Sequence, residues 1–515
     1  MNDMTDVTEA PPRGIDRRAA LAEIDLAKTD LAKTDLAKTD LAKTDLAKTD
    51  VEKAEAPPSQ APSSTPGEAR RAELLRGPVL PTLIRLALPT VVVLVAQTAV
   101  SIAEAYYVGF LGTDALAGVA LVFPVFMLMT MMSNGGLGSG VSSAIARAIG
   151  AAHKDDADAL LFHALVLAVV VGALFSVAVI WGGPPLYRAL GGRDEALRAA
   201  LTYSNYLFAG SIPVWIVNFQ AAALRGAGNV RVPAMVILAG ALVLIPLSPV
   251  LIFGFGIAPR LGIAGAGLAF GLYYCGAMLF LLRYMASGRG GLTLKPGRLQ
   301  GRLFTDILKV GVPTSINAVL TNLTVIVVTG TVGLFGTTAL AAYGIASRLD
   351  YVLIPILFGL CTATLTMVGI AVGAGAIARA RRIAWISTAV GVALTGSIGL
   401  VVAAYPPLWL TLFSHDAEVL REGATYLRIV APSYALLGFG FVLAFAAQGA
   451  GHVLWPFVAS FTRILIAAGL GWLAVSKFGA GMAGLAGMVA ASLVAYAAIC
   501  SLIMLSRGVW RSPNT

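Results

Sequence analysis

Charged side chains make up only 12% of this chain, against 57% hydrophobic residues. A water-soluble domain carries about 25% charged residues, so a protein whose surface faces mainly water is excluded. Cysteine and histidine are scarce too. Cys275, Cys361 and Cys500 lie far apart in apolar runs, and His153, His163, His415 and His452 are scattered. Neither a disulfide framework nor a Cys/His metal centre is expected, and the cysteines read as packing residues. No GxxxxGK[ST] loop occurs, and the glycine-rich NGGLGSG at 134–140 follows no strand, so no cofactor and no ATPase subunit is implied. The first twenty residues hold no apolar core, so no secretory signal peptide is expected.

What the sequence does have is a series of long apolar runs from about residue 80 to 506, each near the ~20 residues that a bilayer crossing needs. The runs predict about twelve helices, at 80–109, 115–144, 159–182, 198–224, 231–255, 261–284, 305–332, 338–370, 384–406, 421–447, 454–476 and 481–505. The 56 glycines suit helices whose backbones approach closely in a membrane. The fold class is therefore all-α and polytopic.

The formal charge is +10, which invites a nucleic-acid reading. The cations are placed otherwise. They collect in alternate loops: Arg147 and Lys154, Arg225 and Arg231, Arg379, Arg381 and Arg382, and the long connection with Arg283, Arg289, Lys295, Arg298 and Arg302. The opposite loops mix them with acids, as in GGRDEALR and SHDAEVLREG. This is a topology signal placing the basic loops and both termini in the cytoplasm, and no nucleic-acid partner follows. The expected locale is the cell (inner) membrane, multi-pass, with membrane lipids as surroundings.

Ahead of the first span, LAKTD occurs five times from Leu26 to Asp50, followed by APPSQAPSSTPG. A period of five advances a helix by about 140° per repeat and builds no apolar face, so a disordered low-complexity tail is expected.

The spans repeat. YVGFLGTDALAGV at 107–119 recurs as TVGLFGTTALAAY at 331–343, with Gly109 and Gly333 offset by 224. ALRGAGNVRVP at 223–233 recurs as AAQGAGHVLWP at 446–456, where Pro233 and Pro456 differ by 223, and Pro89 matches Pro313 at 224. Six helices per copy is an even number, so both halves enter from one side and are related by a pseudo-twofold axis along the membrane normal. The expected organisation is a cytoplasmic tail (1–77), an N-lobe (78–285), a cytoplasmic linker containing TLKPGRLQGR (286–302), a C-lobe (303–506) and a short cytoplasmic tail (507–515). Repeat-built transporters place substrate at the interface of the halves, which makes a transporter the leading class and an enzyme unexpected.

LALP followed by AEAYYVGFLGTDALAGVAL, then GLGSGVSSAIARAIGA, ALRGAGNVRVP, LAAYGIASRLD and VGIAVGAG, resembles the multidrug and toxic compound extrusion (MATE) transporters over residues 78 to 505. The resemblance implies a V of two six-helix lobes that exports small organic compounds in exchange for inward H⁺ or Na⁺. It also implies a cation-coupling role for Glu104, since the family commonly has Asp there. The fifth-helix Asn and Asp of the family are replaced by Leu244 and Ser248. The seventh-helix acid of one subgroup is missing near Thr321 and Asn322, and the eighth-helix Arg-x-acid survives as Arg348 and Asp350. The pattern resembles the DinF-like subgroup, which implies H⁺ over Na⁺ as the coupling ion.

The residues support a site independently. Thr90, Gln97, Ser101 and Glu104 fall on one face of the first helix, and Tyr107 extends it. A charged acid in a bilayer costs roughly 2.5–3.5 kcal/mol even on lenient scales, so this stripe should face a cavity or bundle interior. A carboxyl there can take up and release a proton as its access to water changes; equally, it could lie near the surface and hydrogen-bond the tyrosines beside it. Its repeat mate is Val328, so the acid belongs to the N-lobe alone. Arg348, Asp350, Arg428 and Arg463 put intramembrane charge in the second half, either lining a cavity or forming structural ion pairs. Further cavity-lining candidates are Asn134, Tyr203, Asn205, Asn218, Asn317 and Thr321.

The expected function is a monomeric secondary antiporter for small organic compounds, with a lipid-linked precursor or polysaccharide flippase as the alternative. A major-facilitator transporter shares the two-by-six plan, but GAAHKDDADA lacks that group's basic loop. A channel or scaffold leaves the repeat and the unequal charges without a reason.

Overall fold

The computed structural model describes residues 66–255, 259–506 and 508–510; the LAKTD tail lies outside them. Among the described residues every element is a helix. That is the expected answer for apolar segments in lipid, because a helix satisfies its backbone N–H and C=O groups within one segment. Among the described residues, eleven continuous helices are long and apolar enough to cross a membrane, and a bent pair makes a twelfth. We number them α1 (Val79–Gly109), α2 (Thr113–Gly150), α3 (Lys154–Ala189), α4 (Asp194–Ala209 and Ser211–Gly226), α5 (Arg231–Phe253) and α6 (Ile263–Ala286). The second six are α7 (Gly301–Gly333), α8 (Thr337–Gly373), α9 (Ile377–Ala404), α10 (Ala417–Gly449), α11 (Leu454–Phe478) and α12 (Met482–Leu505). A shorter helix, Pro66–Arg76, leads into α1.

The expected spans are recovered, mostly lengthened by a few residues at their ends. Two departures matter. The fourth is broken at Gly210 with a bend of 49°, and Pro213 supplies no N–H for the carbonyl left open there. The tenth passes through a 3₁₀ turn at Ala431–Ser433 around Pro432. Gly210 and Ser433 are 223 apart, so the breaks occupy equivalent places in the two copies. The repeat also sets the turns: Gly112 and Gly336, 224 apart, hold φ of 107° and 98°, a region that only glycine enters without strain. Two π-helical turns, Met131–Gly136 in α2 and Leu465–Leu470 in α11, have no mate and break the symmetry.

The two copies meet chiefly through α2. Its second half, Leu137–Gly150, packs between α7 and α8, and α1 packs on α8. All residues from Leu137 to Ala146 are buried. At its end the contact is backbone on backbone and reciprocal. A Cβ on Gly150 would stand 2.2 Å from the Ile370 carbonyl oxygen, and one on Gly373 would stand 2.1 Å from that of Arg147. Gly150 and Gly373 are 223 apart, as are Arg147 and Ile370. Two hydrogen bonds follow the same exchange. Ser143 Oγ donates to the Gln448 carbonyl, and Thr366 Oγ1 donates to that of Arg225 at 3.0 Å. Ser143 pairs with Thr366 and Arg225 with Gln448, each again 223 apart.

This junction lies at the end that carries the basic loops. The leading helix bridges it. Arg71 donates to the Gly150 carbonyl at 2.7 Å, and Arg379 donates to those of Leu74 (3.0 Å) and Gly77 (2.6 Å). The connection between α6 and α7 is strapped to α3, with Thr293 N on Asp158 (2.8 Å), Gln300 N on His163 Nε2 (2.8 Å) and Arg302 on Asp156 (2.9 Å).

Close backbone approach leaves no room for a side chain. In Gly150→Leu or Gly373→Leu, spin labels at Lys154 and Ala378 should therefore report a longer distance between the copies than in wild type. Pulsed electron spin resonance measures it; an unchanged distance would show the glycine contact to be dispensable.

Candidate functional site

Three polar clusters stand inside the bundle. The first is in the N-terminal copy. Glu104 is only partly exposed, and its Oε1 is buried without a hydrogen-bond partner. It lies within electrostatic reach of Tyr203 on α4 and Tyr274 on α6, both buried. Aromatic rings continue the wall: Tyr274 and Phe126 each pack on Phe270, at 4.9 and 5.1 Å between centroids. No charged side chain is found acting on Glu104 among the described residues. On the same helix Gln97 and Tyr107 are half-buried and Ser101 is exposed, so the α1 stripe lies at the edge of the packed interior. Asn205, two residues beyond Tyr203, is exposed.

The second cluster is at the junction. The π turn in α2 carries Ser133 and Asn134 on successive residues. Asn218 Nδ2 donates to Ser133 Oγ at 2.7 Å, and Arg225 Nη2 donates to Asn134 Oδ1 at 2.7 Å. Both donors are on α4, and Arg225 is itself buried. A π turn slips the helix register by one residue and re-aims side chains, which is why such turns recur at functional places. Here the turn lies against the other copy, since a Cβ at Gly136 would meet Ser315 Oγ of α7 at 2.3 Å. On α7, Thr314 and Thr321 spend their hydroxyls on their own helix, at Val310 O (2.6 Å) and Asn317 O (2.9 Å). Asn317 Oδ1 is buried without a partner.

The third cluster is in the C-terminal copy. Asp350 lies against Tyr434 with Arg463 and Tyr426 in electrostatic reach, and its Oδ1 has no hydrogen-bond partner. Arg463 also stands 6.0 Å from the Tyr496 ring. Tyr426 and Tyr203 are 223 apart, so each copy brings one acid to the same tyrosine from a different helix. Arg348 is exposed and stacks 5.1 Å over Phe413, while Arg428 is exposed. Sequence reasoning missed Arg225, which it read as a loop charge, along with Tyr274, Tyr426 and Tyr434. The repeat offset from Tyr203 was the signal available for Tyr426. No group of three or more metal-ligating side chains occurs among the described residues.

The MatE family model matches residues 89–250 and 313–473, one match for each copy of the repeat. The chain belongs to the MatE family. It is thus a multi-pass membrane transporter rather than an enzyme. Similar proteins are a FAD transporter of Shewanella oneidensis, 25% identical over 77% of this chain and 88% of that one, and a probable multidrug resistance protein, YoeA, of Bacillus subtilis, 27% identical over 69% and 78%. Among solved structures, a MOP superfamily transporter from Pyrococcus furiosus superposes with a TM-score of 0.76 at 25% identity, covering 84% of this chain and 97% of that one. An outward-facing multidrug resistance MATE family transporter gives 0.74 at 26% identity with the same coverage. These MatE neighbours share the two-lobed V, so the two copies are the N-lobe and the C-lobe of that fold.

Removing the acceptor for Arg225 leaves a buried guanidinium short of a hydrogen bond. Asn134→Ala should cost about 2 kcal/mol of stability, read from the thermal unfolding of the purified protein in detergent.

Proposed function

We propose that the protein exports small organic compounds across the cell (inner) membrane in exchange for H⁺ rather than Na⁺, working as a monomer by alternating access between the lobes. The basic loops and both termini are cytoplasmic on this reading. The junction of α2 with α7 and α8 then closes the cytoplasmic side, and the arrangement is the outward-open one.

The observation that carries the coupling role is the isolation of Glu104. Two half-buried acids face equivalent tyrosines, but Asp350 has Arg463 in reach, whereas no cation acts on Glu104 among the described residues. A lone carboxylate away from water is costly, and a proton from the outer side removes that cost. Neutralising Glu104 changes what Tyr203 and Tyr274 face, and that change in N-lobe packing is the step that would release cargo outward. Return to the inward-open state would discharge the proton.

The cargo class is supported by the family and by names that relatives carry, which include multidrug export and FAD transport. The absence of the fifth- and seventh-helix acids supports placement in the DinF-like subgroup. The flippase alternative needs a cationic cavity; Arg348 on Phe413 and Arg463 beside Asp350 each have other neighbours, which gives it less support.

Counterflow in proteoliposomes under imposed H⁺ or Na⁺ gradients tests this. Glu104→Gln should keep substrate exchange and lose its response to a pH gradient; undiminished coupling in that variant would falsify the role. Asp350→Asn should keep the response and lower thermal stability, because Arg463 loses its neighbouring acid.

A further inference from the structure

On the outer face of the N-lobe an apolar groove of about 580 Å³ runs between α5 and α6. It extends from Val232 to Leu247 along α5, about 22 Å at 1.5 Å per residue, so it is longer than one leaflet of a ~30 Å hydrocarbon layer is deep. Gly276 opens it, with nothing within 4 Å of where a Cβ would be, while at Gly240 the Tyr273 ring takes that place and forms part of the wall. Met235, Val243 and Phe280 on its walls are exposed. The end at Val232 and Tyr284 adjoins a polar recess lined by Arg70, Glu73, Arg85, Asn229 and Arg231. Asn229 Nδ2 donates to Tyr284 Oη at 3.4 Å, which joins the two.

Charge at that mouth is unbalanced. Glu73 pairs with Arg85. Arg70 makes a long bond to the Gly290 carbonyl, at 3.4 Å, with Glu73 and Tyr284 in electrostatic reach, and no carboxylate forms an ion pair with Arg70 or Arg231 among the described residues. Three arginines against one glutamate leave a net positive recess at the top of a groove that fits hydrocarbon. Guanidinium groups pair with phosphate in a fixed bidentate geometry, and juxtamembrane arginines draw anionic headgroups.

We propose that this is a binding site for an anionic phospholipid of the basic-loop leaflet, with an acyl chain between α5 and α6 and the phosphate at Arg70 and Arg231. The leading helix supplies Arg70 and the α4–α5 connection supplies Asn229, so the lipid touches two segments that border the lobe junction. The arginines are at the basic-loop end, while the groove wall at Tyr273 packs 4.6 Å between ring centroids from Tyr274 of the Glu104 cluster; the proposal does not rest on the coupling scheme above.

Native mass spectrometry of the full-length protein tests it, using phosphatidylglycerol and phosphatidylcholine with identical acyl chains. Wild type should retain phosphatidylglycerol about tenfold or more over phosphatidylcholine. The double variant Arg70→Gln/Arg231→Gln should lose that preference, and Arg231→Lys should keep it. Gly276→Leu, whose side chain enters open groove, should lower phosphatidylglycerol retention with all arginines intact. All variants are compared at matched size-exclusion profiles. Retention unchanged in the double variant or in Gly276→Leu overturns the proposal. So does inorganic phosphate binding that displaces the lipid and is indifferent to Gly276→Leu, which would mean an anion site with no lipid.

Discussion

Where α2 crosses α8, two backbones lie against each other with no side chain between them. Gly150 faces the Ile370 carbonyl, Gly373 faces the Arg147 carbonyl, and Ser143 and Thr366 exchange hydrogen bonds with the backbone of the opposite lobe. In lipid there is little hydrophobic drive between helices, so close packing and interhelical hydrogen bonds carry the association. This crossing brings α2 into the cleft between α7 and α8, and that in turn seats the π turn of α2 at the centre of the bundle. Arg225, Asn134, Asn218 and Ser133 meet within one lobe, between α2 and α4, and the crossing ties that cluster to the other lobe through the Thr366 bond to the Arg225 carbonyl. The polar centre and the crossing thus share one helix, α2.

Symmetry sets the plan and its violations set the chemistry. The broken fourth and tenth helices, the turn glycines and the reciprocal contacts recur at an offset of 223 or 224. The π turns do not, nor do the acids. Glu104 reaches its tyrosine from the first helix of one lobe, whereas Asp350 reaches the equivalent tyrosine from the second helix of the other. A tyrosine at the same place in both lobes thus receives a carboxyl from two directions, and among the described residues only Asp350 has an arginine to answer it.

Much of this was legible in the sequence. Twelve spans, their pairing into two copies and the lone acid opposite Val328 all follow from apolar length and a recurring spacing. The helix bends were partly legible, through prolines such as Pro213 and Pro432. The π turn in α2 was not, because MMSNGG fits an ordinary helix in lipid and its register slip is chosen by packing against Ser315 and Arg225. Arg225 was read as a topology charge because it precedes a glycine-rich turn; its burial depends on Asn134, 91 residues away. The arginine pattern gave only half the picture as well. Charge density could be counted, but that Arg348 turns to Phe413 while Asp350 turns inward follows from their separation of two residues around a helix, about 200°.

The lobe contact uses carbonyl oxygens as its acceptors, and a carbonyl belongs to every residue type. Substitution can block the contact with bulk but cannot delete its receiving half. Side chains facing the cavity are consequently free to change in size and charge while the crossing that joins the lobes stays the same. A chain built this way can acquire new cargo by altering its walls and leave its pivot untouched.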